Sequence, residues 1–306
     1  MRKDGVERRA LIVGASGQVG TQFMGALGEK AVATSRVARE GWLRFDLAEL
    51  SEVKGAAAVF DLLQLDAIYC VGGMTFVDGC EAEPEMAQRT NAVGPGVLAA
   101  YARERGLPYV YFSTEYVFDG SAEDPGPYAE EARTNPLSVY GKSKLAGEEL
   151  VLRAHADALV LRTTVVYGPD AREKNYLYSL MRNLAKGMAM KVPEDQVSTP
   201  TYNRDLIRAA MGLVEAGAKG VFHVSGPEVL GRLEFARAVA ETLGLDAELL
   251  EGVSTAALGQ TAARPLAAGL ATEKLQRLYP ELKMRTLAES LDDCAVELRG
   301  FLDRMR

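Results

Sequence analysis

Apolar residues in the first 165 positions come in short runs bounded by charge or glycine. They are Ala10-Leu11-Ile12-Val13, Ala31-Val32-Ala33-Thr34, Ala67-Ile68-Tyr69-Cys70-Val71, Tyr109-Val110-Tyr111-Phe112 and Ala158-Leu159-Val160-Leu161. Leu43-Arg44-Phe45-Asp46-Leu47 is a further, interrupted run. Unbroken runs of this length mark strands covered on both faces, as in a parallel sheet. Helical stretches lie between them, over 21–27 and 83–105, and after Pro136 with Thr134 or Asn135 as cap. This alternation predicts an α/β fold with a doubly wound parallel sheet. Beyond residue 165 the pattern loosens into helices over 175–190, 205–216, 233–243 and 272–278. An extended polar loop covers 196–202, and a late strand covers 220–224. The chain therefore divides into a first domain, residues 1–165, and a mainly separate lobe, 166–306. Residues of about 205–225 are expected to return to the first domain.

The first strand runs directly into Gly14-Ala15-Ser16-Gly17-Gln18-Val19-Gly20, which opens a helix. In such a motif the first glycine makes the tight turn, the second admits a pyrophosphate, and the third lets helix and strand pack closely. Helix N-terminal amides then face the phosphates. The first domain thus reads as a Rossmann dinucleotide-binding domain. An NAD site normally ends its second strand with an acid for the ribose diol. Here Ser35-Arg36 stands instead, with no acid before Glu40, and Arg39 and Arg44 add positive charge. Arg36 can bind a 2′-phosphate, so NADP(H) is expected over NAD(H). Asp46, followed by Leu47, can accept from an adenine amino group or cap the next helix. Gly72 and Gly73 let backbone run beside the cofactor, and Thr163, just after the sixth strand, is a further candidate cofactor contact. Residues 74–78, containing Thr75, Phe76 and Val77, form a loop at the carboxyl edge, where open α/β sheets bind ligands. Asn91 lies inside a predicted helix, where asparagine is a poor former, and so is a candidate for a specific role.

Tyr140-Gly141-Lys142-Ser143-Lys144 supplies the chemistry. Residues four apart share a helix face. A nearby cation lowers a phenol's pKa, and an acid works best near the working pH. Tyr140 and Lys144 are a candidate acid/base pair, with Ser113 and Thr114 at the end of the fifth strand to bond a substrate carbonyl. Tyr279-Pro280-Glu281-Leu282-Lys283 repeats the spacing without a nucleotide motif before it, and reads as a turn and helix start.

The chain has 306 residues and a formal net charge of -7, with a pI near 5.2. That balance argues against general nucleic-acid binding. Three scattered cysteines and two distant histidines offer neither a disulfide framework nor a zinc site. No apolar run reaches membrane-spanning length, and none follows the charged N-terminus in the manner of a signal peptide. A cytoplasmic protein is expected.

These residues resemble the extended short-chain dehydrogenase/reductase superfamily. More narrowly they resemble the dTDP-4-dehydrorhamnose reductase family, which includes the regulatory β subunit of methionine adenosyltransferase. The likeness covers nearly the whole chain. It rests on the glycine motif, Val77-Asp78-Gly79-Cys80-Glu81, Asn91-Ala92-Val93-Gly94, Ser113 to Gly120, Val139 to Glu148, Arg162-Thr163, Val166-Tyr167-Gly168, Pro200-Thr201, Asp205-Leu206 and Arg264-Pro265. It implies a catalytic set of Thr114, Tyr140 and Lys144, with Ser113 beside it and Asn91 in support. It also implies substrate contacts from Thr75, Phe76, Val77, Glu115 and Tyr116, and a homodimer. Two departures stand out. The family's reductases commonly carry aspartate where Glu115 stands, and alanines where Gly72-Gly73 stand. The activity implied first is NADPH-dependent reduction of a 4-keto nucleotide sugar. A nucleotide-sugar epimerase or dehydratase and a non-catalytic NADP-binding regulatory subunit are the alternatives. Glu115-Tyr116 in place of an Asp-Glu pair counts against the dehydratase.

Overall fold

The computed structural model describes residues 9–305. The charged N-terminal stretch, 1–8, lies outside the described residues. The strands are β1 (Ala10–Val13), β2 (Ala31–Ser35), β3 (Leu43–Arg44), β4 (Ala67–Cys70), β5 (Tyr109–Thr114), β6 (Leu159–Thr163), β7 (Val166–Tyr167), β8 (Met190–Pro193), β9 (Val197–Ser198), β10 (Thr201–Tyr202), β11 (Gly220–His223), β12 (Leu230–Gly231) and β13 (Leu250–Val253). The helices are α1 (Gln18–Leu27), α2 (Val53–Phe60), α3 (Val77–Ala82), α4 (Pro84–Gln88), α5 (Gly94–Glu104), α6 (Val139–Ala154), α7 (Tyr176–Ala185), α8 (Asn203–Glu215), α9 (Arg232–Leu243), α10 (Glu273–Leu278), α11 (Leu287–Asp293) and α12 (Ala295–Met305).

Seven strands form one parallel sheet in the order β11-β6-β5-β4-β1-β2-β3. Strand order reverses between β1 and β4, which makes the crevice at their carboxyl ends the natural ligand site. Side chains alternate between the two faces. Ile12 and Phe112 join Phe23 of α1 and Leu206 and Leu213 of α8 on one side. Leu11, Val13 and Tyr111 join Phe60 of α2, Leu98 and Tyr101 of α5 and Val151 of α6 on the other. Two covered faces explain why β1 and β5 are buried throughout. A third core gathers Tyr167, Leu177, Met181, Tyr202, Phe235, Leu287 and Phe301 from the later elements.

The structure corrects several expected boundaries. Residues 83–105 are not one regular helix: α4 and α5 are joined by a π-helical turn, Arg89–Val93. Such turns recur at functional sites, and this one carries Asn91. Helix α6 starts at Val139, and Ser138 rather than Thr134 or Asn135 caps it, accepting from the Gly141 amide at 3.2 Å. Asn135 is held elsewhere, its amide on Val117 O at 2.9 Å and its side chain on Asp119 at 2.8 Å. The helix expected over 175–190 ends at Ala185, and Met190–Pro193 pairs with β13 as a strand. The polar loop 196–202 contains β9 and β10, which pair with β12 and β7. Val77 and Asp78 belong to α3 rather than a loop. Around Tyr279 there is a single 3-10 turn, Pro280–Leu282, and the Tyr279 ring packs on Phe222. Among the described residues no helix is long and apolar enough to cross a membrane.

The cap assignment is open to test by denaturant unfolding. Ser138→Ala should destabilise the protein by about 1 kcal/mol. Thr134→Ala should stay within about 0.5 kcal/mol of wild type. A larger loss for Thr134→Ala would place the cap where the sequence pattern first put it.

Candidate active site

Gly14 leaves β1 at φ +90°, and a Cβ there would stand 2.5 Å from the Gly72 Cα. Glycine at both positions therefore lets the carboxyl ends of β1 and β4 meet backbone to backbone, with Gly72 N donating to Val13 O at 2.7 Å. Behind this turn α1 begins at Gln18. Its N-cap is Gly17, no side chain caps it, and its first turn carries no acid. Uncapped amides beside a glycine turn suit a phosphate. A dinucleotide's pyrophosphate fits here on the structure's own terms.

Not every residue of the motif faces the crevice. Gln18 Nε2 donates to Val166 O at 3.1 Å, tying the turn to the segment after β6. Val19 packs on the core with α8, and Ser16 is half-buried. At the end of β2, Ser35 is buried and its hydroxyl accepts from the Val37 amide at 3.3 Å. Arg36 is exposed. Arg39 lies over Trp42 and Arg44 pairs with Glu49. Of the two readings of Asp46, the cap is present: Oδ1 accepts from Ala48 N at 3.0 Å. Leu47 is buried.

Helix α6 brings Tyr140 and Lys144 against the end of β5. Lys144 is 4% exposed, and its Nζ donates to Phe112 O at 2.5 Å and lies 4.0 Å over the Tyr111 ring. Burial draws Lys144 down to about 8, against the opposing pull of Cys70, Glu148 and Cys80. Tyr140 packs edge-on against Tyr116 at 5.4 Å. Burial holds the Tyr140 phenol above its ordinary range, and the Thr114 hydroxyl pulls the other way. This corrects the expectation that Lys144 draws Tyr140 down. Desolvation outweighs the other influences on the phenol, and Tyr140 keeps its proton at neutral pH. Thr114 Oγ1 accepts from Tyr116 N at 3.2 Å.

Asn91 is fully buried and makes three bonds. Oδ1 accepts from Met74 N at 2.8 Å, and Nδ2 donates to Met74 O and Ser143 Oγ, both at 3.0 Å. It thus fixes the segment carrying Thr75 and Phe76 to α6. Phe76 is 70% exposed, Thr75 is exposed and Val77 half-buried. Gly73 backs onto Asn91 Oδ1. Thr163 Oγ1 donates to Thr201 Oγ1 at 3.1 Å, joining β6 to the polar loop.

Several polar atoms gather near Thr114. Glu115 Oε2, Thr164 Oγ1, Tyr176 OH and Arg264 Nη1 are buried and make no well-aligned hydrogen bond among the described residues, although the Thr164 hydroxyl lies close enough to Glu115 to pull on its carboxyl. Buried polar groups are normally satisfied, so these atoms suit a polar ligand. Arg264 also pairs with Asp78 at 3.0 Å, latching the C-terminal segment to α3. Val165, between β6 and β7, stands at φ +39°, a strained setting for a β-branched residue. Arg232 lies 5.1 Å over the Tyr176 ring. Glu115 and the Arg264-Pro265 pair had a sequence signal; Thr164, Tyr176 and Arg232 come from separate stretches with no spacing in common.

Comparison with known proteins shows what the chain is similar to. The model of the family described as RmlD substrate binding domain matches residues 8–299. A probable low-salt glycan biosynthesis reductase, Agl14, of Haloferax volcanii is 33% identical over 263 residues, covering 84% of this chain and 87% of that protein. A dTDP-4-dehydrorhamnose reductase of Mycobacterium tuberculosis is 36% identical over 266 residues, covering 85% and 84%. The crystal structure of a dTDP-4-dehydrorhamnose reductase of Bacillus anthracis in complex with NADP superposes with a TM-score of 0.82 at 28% identity, covering 95% of this chain and 100% of that one.

Burial raises Glu115 to about 7, while Thr164 and Arg232 pull it down. A raised carboxyl contributes stability that is complete below its unfolded value and is lost as pH climbs through the folded one. The wild type should therefore lose about 3 kcal/mol from this group between pH 4.5 and pH 8. Glu115→Gln should remove that loss, so its melting temperature should gain on wild type as pH rises. A difference between the two proteins that does not change with pH would show Glu115 to be ionised at ordinary values.

Proposed function

We propose that this chain, which belongs to the RmlD substrate binding domain family, is an NADPH-dependent reductase of a 4-keto nucleotide sugar of the dTDP-4-dehydrorhamnose kind. The observation that carries the reading is Tyr140. It is a phenol that holds its proton at neutral pH, on a helix that also carries Lys144, at the sheet end that holds the uncapped glycine turn.

When bound, the reduced nicotinamide supplies a hydride to the ketone carbon. The chain's own part is to hold the cofactor and the ketone and to supply the proton. The α1 amides and the Gly14 and Gly72 backbone would hold the pyrophosphate, and Arg36 the 2′-phosphate. Thr114 would orient the ketone, and the Tyr140 hydroxyl would give its proton to the ketone oxygen. Lys144 would hold the nicotinamide ribose and stabilise the phenolate left behind. The unpartnered atoms of Glu115, Thr164 and Tyr176 supply polar contacts for sugar hydroxyls, and Phe76 an apolar surface. In this proposal residues 1–165 hold the cofactor and 166–306 mainly hold the sugar nucleotide, in a cytoplasmic homodimer.

The direct test is NADPH oxidation with dTDP-4-dehydrorhamnose and other keto-deoxy nucleotide sugars. Absence of turnover with all of them would overturn the reading. Tyr140→Phe should bind NADPH nearly as wild type and lose about 10²–10⁴-fold in kcat, and Tyr279→Phe should lose nothing. A Tyr140→Phe enzyme of near wild-type rate would remove Tyr140 as the acid.

Cofactor choice gives a second expectation. Hydrogen bonds to a charged group contribute about 1.5–3 kcal/mol, or roughly 10- to 150-fold in affinity. Arg36→Ala should weaken NADPH binding by about that factor and leave NADH binding nearly unchanged. Dissociation constants that fall equally for both cofactors would make Arg36 an ordinary surface arginine.

A further inference from the structure

One buried polar cluster has no part in the chemistry above. Glu148 follows Tyr140 by eight residues and Lys144 by four, on the same face of α6. Its carboxylate accepts from Ser113 Oγ of β5, from Arg162 Nε at 2.9 and 3.2 Å, and from Arg162 Nη2 at 2.7 Å. The two side chains of the ion pair are 6% and 4% exposed. Arg162 Nη1 donates to Glu130 O at 3.2 Å and faces His223 Nε2 at 3.4 Å. A buried ion pair is weak evidence for stability, because apolar residues of the same volume often serve as well. Its place beside Lys144 suggests another use.

We propose that Glu148 is a positioning residue: it seats α6 on β5 through Ser113 and Arg162, and it is the negative charge that keeps Lys144 an ammonium. The proposal rests on the reductase reading for its kinetic consequence. The groups facing Lys144 are Cys70 from β4, Cys80 from α3, Tyr111 from β5 and Glu148 from α6, and Tyr140 stands one turn before it on the same helix face. Burial pushes both thiols up to about 11 and holds Tyr111 and Tyr140 well above the ordinary phenol range. None of these four is charged at neutral pH, which leaves Glu148. Arg162 is that carboxylate's ion-pair partner, and burial with Arg162 draws His223 down to about 3, so it is neutral. Lys144, near 8, is close enough to neutrality for one lost counter-charge to matter.

The experiment reads Lys144 directly, by NMR titration of the full chain carrying ε-13C lysine, with its signal assigned by its loss in Lys144→Arg. Glu148→Gln should lower the Lys144 midpoint by about one pH unit. It should move the alkaline limb of kcat by the same amount and lower kcat by up to about 100-fold through misplacement, with the KM of the sugar unchanged. Glu148→Asp should restore the wild-type midpoint, and the exposed neighbour substitution Glu149→Gln should alter neither quantity. A folded Glu148→Gln protein whose Lys144 titrates as in wild type overturns the proposal. Circular dichroism reports folding; should Glu148→Gln fail to fold, Glu148→Gln/Arg162→Gln offers a neutral hydrogen-bonded pair, with a smaller fall in midpoint expected because the Arg162 cation is removed as well, and a midpoint at or above wild type fatal. A wild type that reduces no sugar would sink the function proposed above, while the lysine midpoints would still decide the role of Glu148.

Discussion

The site depends on how closely α6 lies against β5 and the π-turn before α5. A Cβ on Gly147 would stand 2.2 Å from Asn91 O and 2.3 Å from the Tyr111 hydroxyl, so only glycine permits the contact. With the helix that close, Lys144 reaches a strand carbonyl and Glu148 reaches Ser113 and Arg162. Tyr111 OH donates to Asn91 O at 2.5 Å across the same seam. One close packing thus sets the height of Tyr140 above the end of the sheet.

That seam also explains why the polar groups behind the cleft are buried. Each finds its partner on a neighbouring element, and a partly satisfied network would cost more than an apolar one. Most of the exceptions, on Glu115, Thr164, Tyr176 and Arg264, belong to the region around Thr114, while Asn203 Oδ1 lies apart, beside Gly168. Satisfied groups hold the scaffold, and unsatisfied ones mark where a polar ligand would complete the structure. The raised Glu115 carboxyl is the electrostatic sign of the same incompleteness.

The π-turn shows how local irregularity serves the site. A regular helix over 83–105 would carry its residues past the interior at a steady 100° step. The widened turn at Arg89–Val93 instead puts Asn91 wholly inside, where it bonds the Met74 backbone and Ser143. The segment with Thr75 and Phe76 is thereby tied to the helix that carries the acid.

The sheet, the glycine turn and the helix carrying Tyr140 and Lys144 were legible in the sequence. These are local matters: apolar runs, a motif of seven residues and a spacing of four can each be read without knowing what lies opposite. Asn91 was singled out because asparagine sits badly in a helix, though not the π-turn that explains it. Tertiary structure alone decided the rest. Ser138 caps α6 because Asn135 is held by Asp119 and Val117. Tyr140 is raised rather than lowered because its burial outweighs the pull of the Thr114 hydroxyl. Glu148 matters because Ser113 and Arg162, distant in sequence, close around it. Burial and long-range pairing set the charge of each group, and neither has a sequence period from which to read it.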